Sequence, residues 1–135
     1  MKIALGPLLY YWPRQSTLAF YADMTDAPVD VVYLGETVCS RRHELRLSDW
    51  LEVAEILTAS GKEVVLSSQV LVESESDLKT LRRIVANGNF RVEANDMGAV
   101  RLLSSGDAPA RNWIAGPTLN IFNPTTLDLF AGLGA

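Results

Sequence analysis

Short unbroken apolar runs recur along this chain, separated by segments of helical length, and that alternation restricts the fold more than any other feature. Val31-Val32-Tyr33-Leu34 and Val64-Val65-Leu66 are continuous rather than alternating. A strand covered on one face only alternates apolar with polar residues; a strand covered on both faces need not. These runs therefore predict parallel strands buried beneath helices. The full set of expected strands is 3–6, 30–35, 63–67, 91–94 and 113–116.

The segments between them carry helix punctuation. Ser16 to about Ala27 fits a first helix, with Leu18, Tyr21, Ala22 and Met24 as its buried side. Ser48 precedes a stripe of Trp50, Val53, Ala54 and Leu57, and Gly61 follows in the position that favours a left-handed residue. Ser74 with Asp77 predicts a capped start to the next helix, whose face is Leu78, Leu81 and Val85 and whose stop is Asn87-Gly88. Asn95 is the expected cap of a short helix running to Gly106. Asn123-Pro124 sets a capping residue before proline at the first helical position.

Five βα units in series build either an open doubly wound sheet or part of an eight-stranded barrel. A complete barrel takes about 250 residues, and this chain has 135. The expectation is an α/β fold, a partial TIM-like (β/α) barrel of about five parallel strands. Residues 1–135 are read as one domain, the N-terminal part of a larger barrel.

Composition narrows the function classes. The net charge is −4, the wrong sign for a protein that displaces counterions from nucleic acid. No apolar run approaches the roughly 18 residues of a membrane span, and no secretory leader is recognisable. A soluble, cytoplasmic protein is expected. Cys39 is the single cysteine, so no internal disulfide framework forms.

In parallel βα folds the chemistry gathers on loops after the strands' C-terminal ends. After the first strand, Tyr10, Tyr11 and Trp12 are either the lining of a pocket for a flat ligand or a cover for one end of the sheet. After the second, Glu36, Cys39, Arg41, Arg42, His43 and Glu44 form the densest polar cluster. Basic neighbours favour the thiolate, the form that serves as nucleophile or metal ligand; an inert, partly buried thiol is the alternative. His43 is the only histidine, which disfavours a zinc site within this chain. Arg41 and Arg42 are candidates to bind an anion or to pair with Glu36 and Glu44.

After the third strand, Ser67-Ser68-Gln69 offers only hydroxyls and an amide. On the fourth, Glu93 would need a partner if it points inward, and Arg41 or Arg42 is the expected one; Asp96 reads as a helix-terminal carboxylate. After the fifth, Asn120 has no capping explanation and is a weak binding candidate. The substrate-binding candidates are thus Tyr11, Trp12, Arg41, Arg42, Glu93 and Asn120. Glycine-rich phosphate loops, HExxH and CxxC motifs do not occur.

Several of these motifs, taken together, resemble the collagenase-like peptidase family. They are Leu5-Gly6-Pro7 with Tyr11-Trp12-Pro13, Val32-Tyr33-Leu34-Gly35-Glu36 with Val38-Cys39-Ser40-Arg41-Arg42, Asp49-Trp50-Leu51, Glu93-Ala94-Asn95-Asp96-Met97-Gly98, and Leu119-Asn120 with Asn123. The resemblance runs through essentially the whole chain. It implies a barrel-type fold and a role in oxygen-independent ubiquinone biosynthesis, in which a UbiU-like partner takes part and each protein carries a [4Fe-4S] cluster. Cys39 matches the family's first cluster ligand. The family's other cluster cysteines fall in a half that this chain lacks, so no intact cluster is expected in it alone. The chain is then a truncated portion, inactive alone, of an accessory subunit of a quinone-precursor hydroxylase. Two alternatives stay open: a peptidase using Cys39, although no proteolytic constellation is visible, and a non-enzymatic interaction module that forms homo-oligomers through unpaired strand edges.

Overall fold

The computed structural model describes residues 1–39, 44–106 and 112–135. Strands β1 (Ala4–Leu5), β2 (Val31–Leu34), β3 (Glu63–Ser67), β4 (Arg91–Ala94) and β5 (Ile114–Ala115) alternate with helices α1 (Arg14–Asp23), α2 (Leu47–Ala59), α3 (Glu75–Val85), α4 (Met97–Ser104) and α5 (Pro124–Gly132). A single 3-10 turn, Pro117–Leu119, follows β5.

All strand pairs are parallel, and the strands lie side by side in chain order, β1-β2-β3-β4-β5. A doubly wound sheet would reverse direction at a switch point. The sequential order instead curls the sheet one way, into a half-barrel with helices outside. No helix among the described residues is long and apolar enough to cross a membrane.

The pleat divides each strand between the two faces. Val32 and Leu34 pair in register with Val64 and Leu66, and these four join Trp50, Val53, Ala54 and Leu57 of α2 in one core cluster. A second cluster combines Leu81 and Val85 of α3 with Ala94, Val100, Trp113 and Phe130. Residues of the other parity, among them Tyr33, Val65, Ser67 and Glu93, face the inside of the curl, with Tyr33 beside Val65 and Ser67 beside Glu93. At the strands' N-terminal ends Glu63 pairs with Lys2 at 3.0 Å and with Arg91; both cations are largely exposed, so these pairs contribute little stability.

Several helix starts differ from expectation. Pro13 precedes α1, which begins at Arg14 and ends at Asp23; its fully buried residues are Thr17 and Tyr21, while Ala22 is exposed. Helix α2 starts before Ser48, at Leu47, because the Asp49 carboxylate accepts the Arg46 backbone N–H at 2.7 Å and closes the first turn two residues earlier. Asp96, not Asn95, caps α4, accepting from the Gly98 N–H at 2.6 Å. Ser74 and Asn123 cap as expected, accepting from Asp77 N and Thr126 N at 3.1 and 2.9 Å.

Candidate functional site

Displaced from the helix cap, Asn95 lies buried at the C-terminal end of the inner face, in a network of polar side chains. Its Nδ2 donates to Glu93 Oε2 at 2.9 Å and to the Ser68 carbonyl at 3.1 Å. Ser67 Oγ also donates to Glu93 Oε2, at 2.6 Å. The Asn95 backbone N–H donates to Ser68 Oγ at 2.9 Å, and Thr118 Oγ1 donates to the Asn95 carbonyl at 2.6 Å. Strand β3 and the residue after it thus supply the serines, β4 and the residue after it the carboxylate and amide, and the turn after β5 the threonine.

Glu93 is 5% exposed. It faces the inside of the curl, and the partners seen are a hydroxyl and an amide. Arg41 and Arg42, the partners expected from the sequence, lie outside the described residues, as does His43. Neutral donors suffice to hold a buried carboxylate in place. The backbone is shaped around this network. A Cβ at Gly116 would stand 2.8 Å from the Ala94 carbonyl oxygen and collide with the Asn95 side chain.

The charge is felt nearby. The Tyr33 hydroxyl is raised above its ordinary pKa, first by burial and then by the negative charge of Glu93, with Arg91 acting in the opposite sense. Tyr21, behind the sheet, is pushed up to about 12 by burial, with a smaller contribution from Glu36.

Cys39 follows β2 on the same end of the sheet. Gly35 makes the exit from the strand possible: its φ is +146°, and a Cβ there would stand 2.8 Å from the Ser67 carbonyl oxygen. Cys39 is partly exposed and lines a cavity of about 120 Å³ between α2 and α3. Leu34 and Leu66 also line that cavity, which places it on the helix side of the sheet rather than inside the curl.

The remaining candidates have structural occupations. Trp12 packs edge-on against Phe20 of α1, with ring centroids 5.1 Å apart. The Tyr11 hydroxyl donates to Glu44 Oε1 at 2.6 Å. Tyr11 is otherwise 54% exposed, and Tyr10 76%. Asn120 is exposed and left-handed (φ 57°), closing the 3-10 turn, a backbone shape that asparagine tolerates better than most residues. Arg14 and Asp49 form a bidentate ion pair at 2.7 Å for each bond. With the Arg46 N–H, the Arg14 guanidinium holds the Asp49 carboxyl well below the usual carboxylate range.

Ser67, Ser68, Asn95 and Thr118 are the residues whose importance the sequence hid. Ser67-Ser68 and Asn95 each follow a buried strand run at its C-terminal end, and that position was the available signal.

A [4Fe-4S] cluster is normally held by four thiolates, and this chain supplies one, Cys39. Among the described residues no group of three or more His, Cys, Asp or Glu side chains is arranged to hold a metal. The residues present therefore fit one corner of a cluster and not a whole one. No protein-family model matches the chain, and no solved structure matches it.

Proposed function

We propose that this chain is part of an iron–sulfur protein of the collagenase-like peptidase type, contributing one cluster ligand and no proteolytic site. More specifically, we read it as the N-terminal portion of a UbiV-like protein. With a UbiU-like partner, such a protein takes part in the oxygen-independent hydroxylation of a quinone precursor during ubiquinone biosynthesis.

Two things support this reading: the ordered motifs shared with that family, and the placement of Cys39. The second carries it. The thiol lies on a loop after a strand's C-terminal end, the functional end of a parallel βα fold, and it is partly exposed. A ligand contributed to a shared cluster needs that access. When bound, the cluster would supply electron transfer.

The test is the visible absorbance of the longer protein purified without oxygen, in wild-type form and as Cys39→Ala. Loss of cluster absorbance and iron in the variant is expected. A Cys39→Ala protein with an unchanged cluster would overturn the assignment.

A further inference from the structure

Helices α1 and α2 are in contact, yet a cavity of about 240 Å³ remains between them. Leu18, Tyr21 and Ala22 recur three and four positions apart on α1, and Val53 and Ile56 three apart on α2, so each set forms one stripe. The two stripes line the cavity. Tyr21 and Val53, 3% and 6% exposed, are its deep part. The Tyr21 ring is fixed edge-on against Trp50 with centroids 5.7 Å apart, so that part is preformed. Ala22 contributes only a methyl group and is exposed, as is Ile56, and the cavity opens to solvent past them.

The rest of the lining is polar: Arg14, Asp49 and Glu52. Arg14 and Asp49 are already committed to each other through two bonds of 2.7 Å. Arg14 also donates to the Glu44 carbonyl at 3.3 Å, and Asp49 accepts the Arg46 N–H. Glu52, one turn beyond Asp49, feels the charge of Arg14 but belongs to none of the ion pairs among the described residues. With Arg14 and Asp49 cancelling, these three lining residues sum to one negative charge.

Size and charge together select a ligand class. A closed apolar cavity of about 150 Å³ holds benzene, so the larger space here takes one ring and a short chain. A cation at the end of that chain is attracted to Glu52 and an anion is repelled. Glu52 is exposed, so the attraction is modest, up to about fivefold in affinity.

We propose that the cleft between α1 and α2 binds a small hydrophobic amine, a single ring bearing a primary ammonium on a two-carbon chain, with the ring among Leu18, Val53 and Ile56 and the ammonium at Glu52. No residue lining this cleft lines the crevice beside Cys39 or belongs to the inner-face network, so the site depends on neither the cluster nor that network.

The test uses 2-phenylethylamine, 2-phenylethanol and phenylacetate, a cation, a neutral molecule and an anion of similar size, added at low salt to the isotopically labelled 135-residue chain. The amine is expected to shift the methyl resonances of Leu18, Val53 and Ile56 saturably, with a midpoint about twofold to fivefold below that of the alcohol; phenylacetate should bind more weakly than either. Glu52→Gln should bring the amine and alcohol midpoints together while leaving the alcohol's own midpoint unchanged. Ala22→Phe, at an exposed helical position, fills the cleft and should abolish the shifts; if it does not fold, Ala22→Leu takes its place and should weaken all three probes. Absence of saturable shifts with the amine would overturn the site. Equal binding of amine and alcohol, or an amine preference that survives Glu52→Gln, would overturn the charge selection, and unaltered binding by the folded Ala22 variant would overturn the location.

Discussion

Replacing Asn95 by alanine should be among the most damaging single changes available in this chain, and the structure says by how much. Three hydrogen bonds disappear with the amide: Nδ2 to Glu93 Oε2 at 2.9 Å, Nδ2 to the Ser68 carbonyl at 3.1 Å, and the long bond at 3.2 Å that Asn95 Oδ1 accepts from Thr118 Oγ1, whose hydroxyl keeps its shorter bond to the backbone. Bonds to a charged group contribute about 1.5–3 kcal/mol and neutral ones about 1 kcal/mol. The backbone bonds of Asn95 to Ser68 Oγ and Thr118 Oγ1 survive, so nothing is added for them. The sum is about 3 kcal/mol, a large part of the 5–15 kcal/mol typical of a whole domain. Urea unfolding followed by tryptophan fluorescence measures it, with the slope checked for constancy between variants. Glu93→Gln, made alone and combined with Asn95→Ala, isolates the pairwise part, which should be about 1–2 kcal/mol. Asn95→Asp should be worse than alanine at neutral pH, because it sets a second carboxylate against Glu93. A loss below about 1 kcal/mol for Asn95→Ala, with no coupling to Glu93, would refute the claim that this network holds the strand ends together.

Other consequences follow from the same geometry. Gly116→Ala forces a methyl group against the Ala94 carbonyl and the Asn95 side chain and should cost roughly 3 kcal/mol in the same urea assay; a neutral effect would mean that the backbone yields freely there. The Asp49 carboxyl is held below its unfolded value by Arg14, so its stabilisation is present above the ordinary carboxylate range and is lost as pH falls through the lowered folded value. Thermal melts of Asp49→Asn should therefore show a shallower loss of stability on acidification than the wild type, and superimposable acid limbs would count against the pair.

Much of the fold was legible because each strand core is a short run with a single reading. Val64-Val65-Leu66 cannot lie half exposed without wasting apolar surface, and Ser74 with Asp77 marks a helix start by chemistry that depends on no distant contact. Where tertiary context decides, the sequence misleads. Asn95 and Asp96 are both good capping residues, and only the inner-face partners Glu93, Ser68 and Thr118, brought in from three other places in the chain, decide which of the two caps. Asn120 looked like a free amide because a left-handed backbone leaves no mark on composition. Glu93 was legible as a candidate from its strand position, but its partners were not: Ser67 is 26 residues away, linked only through the strand register. The crevice beside Cys39 was illegible for a similar reason, since residues from β2, β3, α2 and α3 meet there only in the fold.

The account rests on a thiol that is reachable in the folded protein, at the end of the sheet where a shared ligand is useful. Its most direct test is the rate at which a small thiol reagent modifies Cys39 as denaturant is raised through the native baseline. Modification at a rate independent of denaturant, well before unfolding begins, is the predicted result. A rate that climbs in proportion to the unfolded fraction would place the sulfur inside a closed interior and contradict the account.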